Sequence, residues 1–300
     1  MRFVDAHHHL WDLSKHHYTW QSGAAGAGRG SYLAEDYLAD AGQLGLWRSV
    51  HVEGNYDPSD PAGETAWLQQ VADAHGFPHG IVGYAALQQP GVEAVLEAHL
   101  RHRNFRGIRQ ILNWDPNLRL SQCDRPDYLD DRHWQAGFAL LGRYGLSFDL
   151  QAHPWQMQQA AQLAGQYPEV AVIVDHLGMP VYRGEAGWAS WRHGVQALAA
   201  HDNVTVKLSG FGMFDPAWTG TSIAPEIEVL LESFGTRRCM FGSNFPVDKR
   251  WKSYRQVLDG VQTALRGLSD TEREDVLAGT AERVYRLRLP AVPESPSSGG

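Results

Sequence analysis

The stretch Asp5-Ala6-His7-His8-His9-Leu10-Trp11-Asp12, preceded by Arg2-Phe3-Val4, puts three histidines at the end of a segment that reads as a short strand. A strand's period of two sets Phe3, Asp5, His7 and His9 on one face and Val4, Ala6 and His8 on the other. Two imidazoles then leave the strand in the same direction, about 7 Å apart along the backbone. At that separation their ring nitrogens can converge on one metal ion or one substrate oxygen. The histidines sit among apolar residues, unlike an appended tag.

Working outward from this strand, helices and strands alternate. The predicted strands are Trp47 to Glu53, Gly80 to Ala86, Phe105 to Gln110, Leu146 to Gln151, Val170 to Asp175, Val204 to Leu208 and Arg238 to Gly242, with helical spacing between them. Two further helices close the pattern, near Tyr254 to Leu265 and Asp270 to Tyr285. Several strands are apolar on both faces, as parallel strands covered by helices should be. No glycine-rich phosphate fingerprint follows the first strand, which disfavours a dinucleotide-binding open sheet. Eight units in residues 1–289 predict one α/β domain, a (β/α)8 TIM barrel. The Pro/Ser/Gly-rich tail, 290–300, is expected to be disordered, and the long loop from Ser14 to Ser31 to act as a lid.

Composition narrows the function. The 300 residues are 43% hydrophobic and 20% charged, with a formal net charge of -8. No basic stripe is present for nucleic acid, and no apolar run approaches the roughly 18 residues of a membrane span. No signal-peptide pattern opens the chain. Cys123 and Cys239 lack disulfide-framework or metal-site spacing, so a cytoplasmic protein is expected. The 15 His and 11 Trp suggest a polar site with aromatic walls around a small-molecule substrate. A homo-oligomer is compatible with such a barrel.

A barrel gathers its chemistry at the carboxyl ends of its strands. Read in turn, those ends carry His7 and His9, His51 and Glu53, Arg109, Gln151 and His153, His176, Lys207 and Ser209, then Asn244. His51, Gln151 and Trp114 are candidates for lining a pocket, and Arg109 has the planar fork that suits paired oxygens. Lys207 is a candidate partner for a substrate carboxylate, or for Asp5 or Glu53. Asp5 can either orient a first-strand histidine or be a buried carboxylate satisfied by backbone donors.

The Asp-x-His-x-His of the first strand, the His after the fifth, Asp175-His176-Leu177-Gly178 and Gly242-Ser243-Asn244-Phe245-Pro246 together resemble the amidohydrolase superfamily, from about residue 2 to 287. More narrowly, the first-strand stretch and Asp175-His176-Leu177-Gly178-Met179-Pro180 are similar to the branch holding L-fuconolactonase, L-rhamnonolactonase and 2-pyrone-4,6-dicarboxylate lactonase. The resemblance implies an amidohydrolase-type barrel in which His7, His9, His153 and His176 face a divalent ion, Zn or Mn, or act on a substrate carbonyl without a metal. Arg109 would then hold a carboxylate or sugar hydroxyls. The eighth strand of this superfamily normally ends in an aspartate that takes the proton from water, and here that place belongs to Asn244. An amide is no general base at neutral pH. Asp248 or His176 would have to take over, or a metal alone would activate water. The resemblance therefore implies hydrolysis of a small sugar or aromatic-degradation lactone. A non-oxidative decarboxylase of a small unsaturated acid and a non-catalytic binding barrel are the alternatives.

Overall fold

In a computed structural model that describes residues 2–21 and 30–287, eight parallel strands pair in sequence order. They are β1 (Phe3–His8), β2 (Leu46–Val52), β3 (Gly80–Gly83), β4 (Phe105–Arg109), β5 (Ser147–Leu150), β6 (Val172–Val174), β7 (Val204–Leu208) and β8 (Cys239–Phe241). A parallel bridge between His8 and Phe245 and the bond from the His9 amide to the Phe245 carbonyl, 2.7 Å, bring the last strand back to the first. The predicted barrel is the observed one. The strand from Val204 ends at Leu208 as expected, and the other strands given bounds above end one to three residues earlier than expected.

The helices α1 (Ala34–Ala41), α2 (Gly63–His75), α3 (Val92–Leu100), α4 (Arg132–Arg143), α5 (Met157–Gln166), α6 (Glu185–Ala199), α7 (Ala224–Phe234) and α8 (Tyr254–Ala264) form the outer ring. Two short helices, α9 (Asp270–Glu274) and α10 (Thr280–Val284), follow, joined by a π turn over Asp275–Gly279. Ser253 and Ser269 cap α8 and α9 in capping boxes with Gln256 and Glu272, which satisfy otherwise unpaired amides at both helix starts.

Two apolar cores result. The larger one fills the space between strands and helices, with Trp134, Phe138 and Phe148 among its buried rings. The smaller one fills the barrel itself with Val4, Ala6, Val50, Val52, Val82, Ile173 and Met240. It is closed at the amino-terminal end by Ala281, Tyr285 and Leu287 from the end of the fold. Branched and small residues predominate inside because opposing strands leave room for little else. Among the described residues no helix is long and apolar enough to cross a membrane. The middle of the expected lid, residues 22–29, and the tail from 288 lie outside the described residues.

Candidate active site

The first strand departs from simple alternation, and the departure builds the site. Asp5 pairs with Ser49 and His8 with His51, so three steps along β1 match two along β2. The extra residue is a bulge that changes which side chains face inward. Val4 and Ala6 point into the barrel, yet so does His7, whose ring lies 5.1 Å from that of His9 and 4.4 Å from that of His176. Asp5 therefore does not share the face of His7, as a strict period of two requires. It turns outward and accepts from Tyr37 on α1 (2.8 Å), Tyr254 on α8 (2.7 Å), the Ser243 hydroxyl (2.6 Å) and amide (2.8 Å), and the His7 amide (3.2 Å). Its partners are hydroxyls and main-chain amides, not a histidine ring.

Below the mouth, the barrel encloses a chain of charges. The Lys207 ammonium donates to Asp149 Oδ2 at 2.5 Å and stands 3.0 Å from Asp175 Oδ1 and 3.2 Å from His7 Nδ1, with no solvent exposure. Tyr285 donates to the same Asp149 oxygen at 2.7 Å. Lys207 thus pairs with Asp149 and Asp175 rather than with Asp5, Glu53 or a ligand, and it does not line the cavity. Burial works against the charged form of Asp175, but Lys207 and His7 outweigh it and hold its carboxyl well below the usual range. Burial, reinforced by Lys207, keeps His7 neutral.

Arg109 donates from Nε to Glu53 Oε1 (2.7 Å), from one terminal nitrogen to the Glu53 carbonyl (2.5 Å) and from the other to Gln151 (3.1 Å), with Asp175 at 3.6 Å. Burial opposes its charge, but Glu53 and Asp175 more than compensate and raise its pKa. The guanidinium is therefore already matched to carboxylates of the protein itself.

His9 and His176 are fixed differently. His9 Nδ1 lies 2.7 Å from the Val52 carbonyl. A carbonyl only accepts, so Nδ1 carries the proton and Nε2 keeps its lone pair. His176 follows β6 in a turn where His176, Leu177, Gly178 and Met179 all have positive φ, a conformation that costs L-residues about 1–2 kcal/mol each. Its Nδ1 meets the Ser209 hydroxyl at 3.0 Å. Gly210 lies against this ring: with φ +71°, an added Cβ would come within 2.5 Å of Nδ1. Burial pushes His176 down to about 3 and lowers His9 as well, so both are neutral near pH 7.

After β8, the left-handed Asn244 (φ 57°) has its amide bonded to the His7 carbonyl at 2.7 Å. Its side-chain nitrogen donates to Asp248 at 3.1 Å. Asp248 is buried without a cationic partner among the described residues, and that burial raises its carboxyl to about 7.

These residues surround a cavity of about 350 Å3. His9, His176, Arg109, Gln151 and Asn244 line it together with Asn55 and Gln122, and Trp11, Trp20, Ile111, Met213 and Val247 form its apolar wall. Other candidates lie elsewhere. His51 pairs with His8 on the outer face of the sheet, bonding to the Leu10 carbonyl at 3.2 Å. Trp114 is outside the lining and holds Trp155 through its carbonyl, 3.0 Å. His153, two residues beyond the observed lining residue Gln151, stacks on Trp155 (4.5 Å) and bonds to the Leu120 carbonyl (3.1 Å). It also lies outside the lining, because the chain turns at Pro154. Asp248 stands behind Asn244 rather than in the wall.

Among the described residues, the groups able to hold a divalent ion are His7, Asp175 and His176, whose ligand atoms lie within 4.8 Å of one another. The buried His7 Nε2 has no hydrogen-bond partner among the described residues, as a ligand atom would require. His9 and His153, expected as ligands, are not in this group, and Asp175 is. When bound there, Zn or Mn would polarise a carbonyl and acidify water. Asp149 and Asp175 were missed as site residues in the sequence reading. The available signal was a charged residue inside otherwise apolar strands, in Phe148-Asp149-Leu150 and Val206-Lys207-Leu208.

A nearly closed parallel barrel with imidazoles, an arginine and a buried carboxylate converging at one mouth defines a barrel hydrolase. The chain belongs to the amidohydrolase family, whose profile matches residues 4–287. It is 42% identical over 292 residues to the uncharacterized protein y4mH of Sinorhizobium fredii, covering 95% of this chain and 98% of the relative. It is 29% identical over 307 residues to an L-fucono-1,5-lactonase of Burkholderia multivorans, with 96% and 97% covered. A solved amidohydrolase of Burkholderia multivorans with bound Zn superposes with a TM-score of 0.82 at 26% identity, over 96% of this chain and all of that one.

Proposed function

We propose that the protein hydrolyses a small uncharged lactone of the sugar-lactone kind. The observation that carries this reading is the charge state of the cavity wall. Among the described residues its one cationic side chain, Arg109, is bonded to Glu53 and close to Asp175, and its two imidazoles are neutral. Among the described residues no spare positive charge is left for a substrate carboxylate, which disfavours both a dicarboxylate lactone and the acid substrate of a decarboxylase. Polar groups on one side and the Trp11 and Trp20 rings on the other suit a hydroxylated ring. The lactonase name of the Burkholderia relative points the same way.

In this reading the His9 Nε2 lone pair accepts a proton from water as the water oxygen bonds to the ester carbonyl carbon. His176 polarises the carbonyl oxygen. The ring C–O bond then breaks, and the ring oxygen leaves as an alcohol with the proton returned by His9, giving the open hydroxy acid. Asn244 takes no proton. Its side-chain nitrogen is tied to Asp248, which leaves its carbonyl oxygen to orient the water, so Asp248 is a positioning residue.

The test is acid release at pH 7 from a panel of aldono-1,4- and aldono-1,5-lactones and muconolactones, run with chelator and with added zinc or manganese. Turnover of neutral sugar lactones is expected, with kcat reduced about 10²- to 10⁴-fold in His9→Asn. No acid from any member under either condition rejects the reading.

A further inference from the structure

We infer that Lys207 is the resident cation of this site, holding the charge position that a divalent ion would otherwise take, so that the ammonium and a metal exclude each other. The inference rests on geometry and on charge balance, and it holds whichever ester is the substrate.

The Lys207 ammonium is enclosed by three groups from three other strands or strand ends: Asp149 at 2.5 Å, Asp175 at 3.0 Å and His7 at 3.2 Å. Two of these, Asp175 and His7, belong to the three-residue group that can chelate an ion. An ammonium on the same carboxylate repels an incoming dication, and neither partner can retreat to solvent, because Lys207, Asp175 and His7 are all fully buried.

The count of charges agrees. Asp149, Asp175 and Glu53 supply three negative charges, and Lys207 and Arg109 supply two positive ones, all within one contact chain. The cluster is left at minus one, and a dication would overfill it. Without Lys207 the balance becomes minus two, which one dication neutralises. Asn244, where a carboxylate would add another negative charge, tilts the balance further from metal.

The experiment is zinc binding by the full chain, measured by calorimetry and by elemental analysis after equilibrium dialysis, without substrate. Wild type is compared with Lys207→Met, with Lys207→Met/Asp149→Asn, and with Lys207→Met/His176→Asn. The Asp149→Asn double variant keeps the net charge of the wild type while freeing Asp175 and His7, so it carries the test if Lys207→Met alone does not fold.

Lys207→Met should bind zinc roughly 10- to 100-fold more tightly than wild type, and its Asp149→Asn partner, which frees Asp175 and His7 but stays at the wild-type charge, should show a smaller gain. Cobalt in the same variants should give the visible absorption of a histidine-ligated ion. His176→Asn should erase the gain and the band. Wild type that binds zinc as tightly as either Lys207 variant, or variants with no gain, overturns the inference. Because no substrate is used, that result would leave the lactone reading standing, and a failure to hydrolyse any lactone would leave this one standing.

Discussion

Two buried polar knots lie a few residues apart on either side of β1, and they are built on opposite principles. Outside the barrel, both carboxylate oxygens of Asp5 accept from five donors on α1, α8, β1 and the loop after β8. Inside, Lys207, Asp149, Asp175 and His7 balance charge, but Asp149 Oδ1 and His7 Nε2 have no hydrogen-bond partner among the described residues. A saturated knot has nothing left to offer a ligand and serves as a rivet. An unsaturated one keeps capacity in reserve at a cost to stability, and such reserves belong where chemistry takes place.

Four substitutions can break or sharpen this contrast. The largest effect is expected at His176→Asn, which should lower kcat about 10²- to 10³-fold while the melting temperature stays close to wild type. A matching collapse in thermal melts would place His176 with the rivets instead. Asp5→Ala should do the reverse, removing about 3 kcal/mol or more of stability in urea titrations by stranding buried donors. The protein that remains folded should keep its KM.

Asp248→Asn should act through pH. Burial raises the Asp248 carboxyl from its ordinary 3.8 to about 7 in the folded chain, so its stability contribution is intact below pH 3.8 and is lost as pH rises through 7. The variant, which cannot ionise, should avoid that loss, by up to about 1.4 kcal/mol per pH unit across the window. Denaturation curves at pH 5 and pH 8 give the comparison, and equal differences from wild type at both would refute the assignment. The smallest change is expected for His153→Ala. It forfeits one hydrogen bond and a stacked ring, about 1 kcal/mol, and leaves steady-state kinetics unaltered, contrary to what a metal ligand would do.

The barrel could be read from the chain because its signal is repetitive: β-branched runs such as Val170 to Val174 recur between helical spacings. The site could be read only in part. His9, Arg109, Gln151, His176 and Asn244 were picked out by their positions at strand ends, and all five line the cavity. His51 was misplaced because its neighbours Val50 and Val52 fill the barrel, so the alternation along β2 turns the imidazole to the outer face. His153 was misplaced because strand-end reasoning does not see the chain turn at Pro154. Lys207 was found, but its partners were not, since pairing across a barrel depends on three-dimensional register that spacing along one strand does not carry.

Tyr285, which seals the foot of the barrel and touches Asp149, comes from nearly the last turn of the described fold. During synthesis the histidines of β1 emerge first and must wait for almost the whole polypeptide before the charges beneath them are locked. Ribosomal products cut short by even the final helix would carry every cavity-lining side chain and still lack the support that sets them.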